Sequence, residues 1–273
     1  MRFLEILLIA TVITGLIWLI DSLFFREKRL WELPLGPLSG KVRDPWYVEY
    51  SKAFFPILLI VLILRSFLAE PFRIPSGSMH PTLWEGDFIL VNKYYYGIRL
   101  PVLGTKIISI GEPKRGDIIV FKHDEDSESK DMIKRVVGLP GDQISYKENI
   151  LYVNGKPAKQ KFITETNDIT FGNHYWPVRQ FSEELDNKIH DIYIQLGSTI
   201  MPRTYKYNDI TVPKGSYFVM GDNRDNSSDS RDWGFVKDED ILGRAFAIWM
   251  SWDSQENDLM KKIRWDRLGT SLK

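Results

Sequence analysis

The 273-residue chain contains no cysteine. This absence excludes disulfide bonds, a cysteine nucleophile and cysteine-based zinc sites, and it fits any redox compartment. The chain also lacks an excess of charge of either sign, because 36 Lys and Arg residues balance 36 Asp and Glu residues. Nucleic-acid binding therefore has no electrostatic support from the composition.

Histidine is scarce, and we expect neither a metal site nor a cofactor. The four histidines are scattered and show no spacing typical of metal ligands: His80, His123, His174 and His190. Aromatic residues, at 13%, and 14 prolines are instead typical of a strand-rich globular body rather than of a disordered chain.

The first long apolar segment lies close to the N-terminus. Residues 6–20 carry no charge and, with the residues just before them, approach the ~20 residues that cross a hydrocarbon core. A cleavable signal peptide is the alternative, but it requires a basic start and a small-residue cleavage site. Here Arg2 is offset by Glu5 and the run ends in WLID. Residues 1–22 are therefore predicted to form an uncleaved transmembrane helix.

A second apolar block, AFFPILLIVLILRSFLA, covers residues 53–69. It is short and Arg65 interrupts it, although a guanidinium near the end of a span can extend to the interface. We predict a second transmembrane helix and leave a buried or interfacial helix open. The intervening segment 23–52 is rich in Lys and Arg, which marks short cytoplasmic loops. The chain beyond residue 70 should then lie across the membrane.

Beyond about residue 70, short runs with period two alternate with Gly, Pro, Asn and Asp. Such runs are typical of β-strands. Examples are GDFILVNK (86–93), GDIIVFKH (116–123) and GSYFVMGD (215–222). The fold class is therefore predicted as mainly β, with an antiparallel β-sheet body over 70–273. Residues 159–212 are polar and less regular, and they are interpreted as a β-rich insertion into this body.

The stretch IPSGSMHPTL (74–83) follows the second apolar block and carries prolines on both sides, which keep it extended. Ser78 is a candidate nucleophile there, but a serine hydroxyl needs a base to remove its proton. No Ser-His-Asp pattern stands out, and nothing in the sequence orients the nearby His80. The other candidate base is a lysine.

That lysine occurs in MIKRVV (132–137). In a strand, Lys134 shares a face with the apolar Met132 and Val136, whereas Arg135 points the other way. Burial disfavours the ammonium form and can lower a lysine pKa from about 10.4 to about 7. On the strand alone, a lysine at a sheet edge that extends its ammonium to solvent remains the alternative.

The third polar constellation is GDNRDNSSDSRDWG (221–234), directly after an apolar strand. A solvated loop is the default for this composition. A calcium-binding loop is a rival because of the many oxygens, although the arginines count against it. The same groups can also hydrogen-bond a buried amine, and Asp229 and Arg231 can form a local pair.

Together, PSGSMHPTL, GDFILVNK, RGDIIVFK, IKRVVGLPGD and GDNRDNSSDSRDWG resemble the type I signal peptidases of bacteria, which are membrane-anchored Ser-Lys proteases. The resemblance covers residues 70–158 and 213–252, and the two apolar segments are similar to the Gram-negative form. Many relatives of that form carry a cysteine pair in the insertion, which this chain lacks. The difference concerns the detail of 159–212 rather than the chemistry.

The resemblance implies a role for each matching catalytic residue. Ser78 corresponds to the nucleophile, and Lys134 to the general base that takes its proton and returns it to the leaving amine. Ser76 corresponds to the oxyanion-hole serine, whose hydroxyl joins the backbone N–H of Ser78.

Further matches concern residues around the dyad. Ser227 corresponds to the serine that hydrogen-bonds the catalytic lysine, and Asp229 and Arg231 to the polar pair that supports the site. Ile74 and Ile133 correspond to positions that line the pockets for small substrate residues.

The implied function is removal of N-terminal signal peptides from exported preproteins, with cleavage after small residues, typically Ala, at the third and first positions before the cut. The implied location is the bacterial inner membrane, with the catalytic domain on the periplasmic side. The expected partners are preproteins, the lipid bilayer and, by proximity, the secretion translocon. Two alternatives stay open: a self-cleaving Ser-Lys regulator, which normally carries a DNA-binding module, and a non-enzymatic membrane-anchored β module.

Overall fold

The computed structural model describes residues 3–31, 44–67, 70–99, 106–125, 128–170, 174–197, 205–253, 256, 258 and 261–272. The chain divides into two compact units. One comprises Met1–Ala69 with Arg99–Thr105, and the other comprises Glu70–Ile98 with Lys106–Lys273. The first unit is helical and the second carries nearly all of the strands.

Within its described residues, the helical unit contains three α-helices, α1 (Phe3–Ile20), α2 (Arg26–Trp31) and α3 (Trp46–Phe67), with a π-helical turn at Asp21–Phe25 between the first two. Helices α1 and α3 pack together, and Gly15 makes this approach possible because a Cβ there would lie 2.6 Å from the Phe55 ring. The stretches Glu5–Arg29 and Trp46–Ile63 are long and apolar enough to span a membrane by length and composition.

The helix boundaries differ from those predicted. The segment 23–52 was predicted as a loop, but helix continues to Trp31 and α3 begins at Trp46 rather than at residue 53. The prediction followed apolarity, whereas a helix extends as far as its residues favour helical backbone, and REKRLW consists mostly of strong helix formers. Residues 68 and 69, and the side chain of Arg65, lie outside the described part of the chain.

The second unit confirms the predicted mainly β body. Its sixteen strands among the described residues are β1 (Glu70–Arg73), β2 (Asp87–Asn92), β3 (Gly97–Arg99), β4 (Lys106–Ser109), β5 (Ile118–Glu125), β6 (Glu128–Gly138), β7 (Gln143–Lys147), β8 (Ile150–Val153), β9 (Lys156–Pro157), β10 (Lys159–Thr170), β11 (His174–Leu185), β12 (Lys188–Gln195), β13 (Ile210–Thr211), β14 (Ser216–Met220), β15 (Val236–Lys237) and β16 (Ile241–Ser251). A short helix, α4 (Ser230–Trp233), precedes β15.

The main sheet has seven strands in the order β1-β2-β16-β5-β6-β14-β15, and its pairings are antiparallel. Strand β5 lies at its centre and is buried on both faces, because Ile118 and Val120 enter one apolar cluster while Ile119 and Phe121 enter another. A continuous apolar run is what such a central strand requires. The loop that carries the candidate nucleophile Ser78, residues 74–83, is called the nucleophile loop and directly follows the edge strand β1.

The β-rich insertion is confirmed, and its strands are more regular than its polar sequence indicated. Strands β10, β11 and β12 form a three-stranded antiparallel sheet over much of 159–212. A second small sheet has the order β13-β7-β8-β9, and β3 pairs with β4. The insertion strands escaped the sequence pattern because polar side chains such as Asp168 and Glu183 occupy buried positions in them. Strict apolar alternation, on which the prediction relied, is therefore missing.

Candidate active site

The nucleophile loop makes a single 3-10 turn, Gly77–Met79, between extended residues. The ring of the buried His80 folds back against Gly77, where a Cβ would lie 2.8 Å from its Cε1 atom. A larger residue at position 77 would therefore have to move a packed ring. Ser78 sits in this turn and is half-buried, whereas the neighbouring Ser76 is exposed.

The structure brings Ser78 and Lys134 together from positions far apart in the sequence. Lys134 Nζ lies 2.6 Å from Ser78 Oγ, within hydrogen-bond distance. Lys134 projects from β6, which pairs with the central strand β5 through Ile119 opposite Lys134. Because both strands belong to the main sheet, the amine is held by a rigid support rather than by a loop.

Lys134 is buried, with only 3% of its surface exposed. This burial lowers the pKa of its amine to about 8, although the carboxylates of Asp229 and Asp222 act in the opposite direction. Burial dominates because it removes the water that would stabilise the ammonium form. An amine with such a pKa is partly unprotonated near neutral pH and can then accept a proton from the adjacent hydroxyl.

Asp229 and Arg231 form a buried pair beside this amine. Arg231 donates from Nε to Oδ1 of Asp229 over 2.8 Å and from Nη2 to Oδ2 over 2.8 Å. Asp229 also accepts from the backbone N–H of Gly221 over 3.0 Å. Burial alone would raise the pKa of Asp229, but the guanidinium outweighs it and holds that pKa below its usual range. The polar segment 221–234 is thus largely a buried network rather than a solvated loop, although Asn226 and Ser228 are exposed.

The remaining predicted site residues occupy nearby positions. Ser227 is buried, and its Oγ and the carbonyl oxygen of Ser78 both lie close to the position that a Cβ on Gly221 would occupy. Ile74 is buried in an apolar cluster of the main sheet, and Ile133 packs against the same cluster. The bond from Ser227 to Lys134, the oxyanion role of Ser76 and the pocket role of the two isoleucines stay predictions.

The sequence did not reveal a second buried ion pair, which Arg135 and Asp222 form. Arg135 donates from Nε to Oδ1 of Asp222 over 2.8 Å and from Nη2 to Oδ2 over 2.7 Å. Its Nη1 donates to the carbonyl of Gly116. The strand period predicts that Arg135 points to the opposite face of β6 from Lys134. It does not identify the partner of Arg135, because Asp222 lies on a different element.

It also missed the partner of His80. The interpretation that nothing orients this ring is wrong, because His80 Nδ1 lies 2.6 Å from Oδ1 of Asp168, a buried residue of the insertion strand β10. The ring also packs against Trp84, with 4.5 Å between ring centroids. Residues 80 and 168 are too far apart in sequence for any local pattern to connect them.

Comparison with known proteins places these motifs in a family context. Residues 47–252 match the family model described as "Signal peptidase, peptidase S26". A signal peptidase I of Pseudomonas aeruginosa is 45% identical, with 92% of this chain and 93% of the relative covered. Signal peptidase I of Buchnera aphidicola subsp. Schizaphis graminum is 39% identical, with 96% of each covered, and that of Haemophilus influenzae is 33% identical, with 98% and 91% covered. The resemblance drawn from the motifs is therefore confirmed.

Proposed function

The chain belongs to the signal peptidases of the peptidase S26 family and is a peptidase, and from this premise we propose that it removes N-terminal signal peptides from exported preproteins with Ser78 as nucleophile and Lys134 as general base. The observation that carries the proposal is the distance of 2.6 Å between Nζ of the buried Lys134 and Oγ of Ser78. A nucleophile in hydrogen-bond contact with a base of lowered pKa is the arrangement that acyl transfer requires.

In the first half of the proposed reaction, the Ser78 Oγ–H bond breaks and the proton moves to Lys134 Nζ. The freed Oγ then attacks the scissile carbonyl carbon to form a tetrahedral oxyanion. The Ser78 backbone N–H and the Ser76 hydroxyl donate hydrogen bonds to that oxyanion, and each such donor is worth roughly 2.7–4 kcal/mol. Collapse breaks the C–N bond, and the Lys134 ammonium returns its proton to the leaving amine, which leaves an ester on Ser78.

In the second half, Lys134 takes a proton from a water molecule as the water oxygen attacks the ester carbonyl. The C–Oγ bond then breaks, and the proton on Lys134 returns to Ser78 Oγ while the signal peptide leaves as a carboxylic acid, which releases its proton to solvent. Asp229 and Arg231 keep the amine positioned as its charge changes, because their own charges balance each other in the buried site. Ile74 and Ile133 bound shallow apolar pockets that accept only small side chains.

Two transmembrane anchors follow from the helical unit. In α1 and α3, apolar side chains such as Ile13, Leu19 and Ile57 are about half exposed, which is costly in water and favourable in lipid. The Lys- and Arg-rich segment 23–52 favours a cytoplasmic position, with the catalytic unit on the periplasmic side of the inner membrane. Enzyme and signal peptide would then share one membrane near the translocon, which lowers the entropic cost of their encounter.

A purified preprotein incubated with the full-length chain in detergent tests this function. We expect a single cut after a small residue, and replacement of the small residue before the cut by Trp should abolish cleavage, because shallow pockets exclude a large ring. Mass spectrometry of the products measures both outcomes. The chain incubated alone is the control. Self-cleavage without preprotein cleavage would instead support the regulator alternative, and an intact preprotein would contradict the proposal.

The pH dependence of cleavage should follow Lys134. Only the unprotonated amine accepts the serine proton, and its pKa is lowered to about 8, so kcat/KM should rise with pH and level off above about pH 8. Initial rates from about pH 6 to about pH 10 at low substrate concentration measure this profile. The exposed Lys122 on β5 supplies the control, since Lys122→Met should leave the midpoint unchanged. A profile without a rising limb would exclude Lys134 as the base.

A further inference from the structure

We propose that Asp168 of the insertion strand β10 is a positioning residue that holds the nucleophile loop in its reactive conformation through His80 and Asn223; this inference rests on the proposed function of the Ser78 site. The insertion would then take part in catalysis, although none of its residues needs to touch the substrate. Asp168, His80 and Asn223 all lie within the β unit.

The Asp168 carboxylate receives two hydrogen bonds from opposite sides. Oδ1 lies 2.6 Å from His80 Nδ1, and Oδ2 accepts from Asn223 Nδ2 over 2.7 Å. Because a carboxylate only accepts, the ring nitrogen that faces it carries the hydrogen. The carboxylate thus fixes both the tautomer of His80 and the orientation of the Asn223 amide.

Both donor residues, His80 and Asn223, also contact the backbone next to Ser78. His80 lies two residues after the nucleophile, and its ring packs against Gly77. Asn223 donates from Nδ2 to the carbonyl of Gly77 over 3.0 Å and from its backbone N–H to the carbonyl of Ser78 over 3.1 Å. Through His80 and Asn223, Asp168 therefore fixes the position of the 3-10 turn that carries Ser78. Displacement of that turn by even 1 Å would lengthen the Ser78–Lys134 contact and slow the reaction.

The insertion sheet is itself clamped onto the polar loop 221–234. Tyr193 of β12 bonds with its N–H to the carbonyl of Asp222 and with its carbonyl to the N–H of Arg224, each over 2.9 Å. Glu183 of β11 pairs with Arg224 through two side-chain hydrogen bonds in a fully buried position. Asp168 therefore lies on a strand that is held in place rather than on a mobile loop. This position keeps the hydrogen bonds of its carboxylate to His80 and Asn223 well aligned.

The burial of Asp168 is difficult to explain by stability alone. It is 1% exposed, and a buried carboxylate is costly unless it is paired and hydrogen-bonded. Among the residues that the structure describes, its carboxylate bonds to a histidine ring and a neutral amide. Apolar residues in place of Asp168 and both of its partners would fill the same space at lower cost. What the carboxylate contributes instead is orientation of two groups that surround the nucleophile.

Three variants of the full-length chain in detergent test this inference. Asp168→Ala should lower kcat for preprotein cleavage by about 10- to 100-fold with KM changed less than about twofold, because the nucleophile is misplaced while the substrate pockets remain. Asp168→Asn should stay within about threefold of the wild type. Its amide oxygen still accepts from Asn223, and its N–H donates to His80 in the other ring tautomer. Asp191→Ala is the matched control, since this carboxylate bonds Gln180 within the same sheet.

Two further readouts separate positioning from a general loss of folded protein. In Asp168→Ala, the midpoint of the kcat/KM pH profile should move up by about one unit, because a displaced loop admits water to Lys134 and its pKa returns toward the value in water. Amide exchange of a peptide covering residues 77–83 should accelerate at least about tenfold, and this measurement needs no catalysis. A loss of folded enzyme alone would leave the pH midpoint unchanged and would accelerate exchange throughout the β unit rather than at residues 77–83 alone.

The outcomes distinguish this inference from the proposed function. If the wild type cleaves preprotein, but Asp168→Ala retains its kcat, pH midpoint and amide protection, the inference is overturned while the function stands. Equal losses in Asp168→Asn and Asp168→Ala would also overturn it, because an amide that keeps both hydrogen bonds should have kept the loop in place and the activity with it. If the wild type fails to cleave any preprotein, the proposed function fails, and accelerated exchange at 77–83 still decides the positioning role.

Discussion

Replacement of Lys134 by Met is expected to lower kcat/KM for preprotein cleavage by about 10⁴-fold or more, because under the proposed mechanism the variant has no base to activate Ser78. Ser78→Ala should cause a loss of similar size. The two residues act as one unit, so the double variant should be no worse than either single variant. Additive losses in the double variant would contradict the dyad. Lys122→Met, on the neighbouring strand, is the control that should retain activity.

The same Lys134→Met change should also stabilise the folded chain near neutral pH. The pKa of Lys134 falls from 10.5 to about 8 on folding, so the folded chain carries a penalty of about 3 kcal/mol wherever the amine is protonated. That penalty is fully present below pH 8. It disappears as the pH rises from about 8 to about 10.5, because the unfolded chain binds the extra proton in this window.

Denaturant unfolding of the detergent-solubilised chain at pH 7 and at about pH 10.5 measures this effect. We expect the variant to exceed the wild type by up to about 3 kcal/mol at pH 7, and the difference to shrink at the higher pH. A methionine fills nearly the same volume as the lysine side chain, so no large cavity opposes the gain. A variant less stable than the wild type at pH 7 would show that burial of the protonated Lys134 amine does not destabilise the folded chain.

Replacement of Arg231 by Met is expected to destabilise the chain by about 3–5 kcal/mol, because it leaves the Asp229 carboxylate buried without its counterion. The removed guanidinium also stacks on Tyr205 and Tyr146, at 4.5 and 4.9 Å from the ring centroids. Since Arg231 lowers and Asp229 raises the pKa of Lys134, the surviving negative charge should also move the rising limb of the kcat/KM profile to higher pH.

The exposed pair Lys147–Asp209 in the same unit provides the matched control. Its atoms approach to 3.0 Å, but the lysine side chain is 57% exposed, so Lys147→Met should change stability by less than about 0.5 kcal/mol. The double variant Arg231→Met with Asp229→Leu should recover part of the loss, because no unpaired charge remains. Thermal and denaturant unfolding of each variant give the comparison, and equal effects of the buried and exposed pairs would refute this reasoning.

The site residues differ in how far the sequence could identify them. Ser78 could be identified from the sequence because the prolines and glycine around it mark an extended loop. Lys134 could be identified because the strand period places it among apolar residues. The motifs carried the resemblance to the signal peptidases, which the comparisons confirm. Asp168 and Arg135 were not identified as site residues, because their partners lie on distant elements and no local periodicity reports a contact between them.

The sequence by itself determined the strand-rich body and the apolar character of the two N-terminal segments, because run length and period are properties of neighbouring residues. Helix ends and the regularity of the insertion escaped it. They depend on backbone preference and on packing around buried polar groups, which apolar pattern does not record. Only the tertiary structure decided that Lys134 loses its water and meets Ser78, since burial is created by residues that are distant along the chain. The lowered pKa of its amine is therefore a property of the fold rather than of the lysine or its neighbours in sequence.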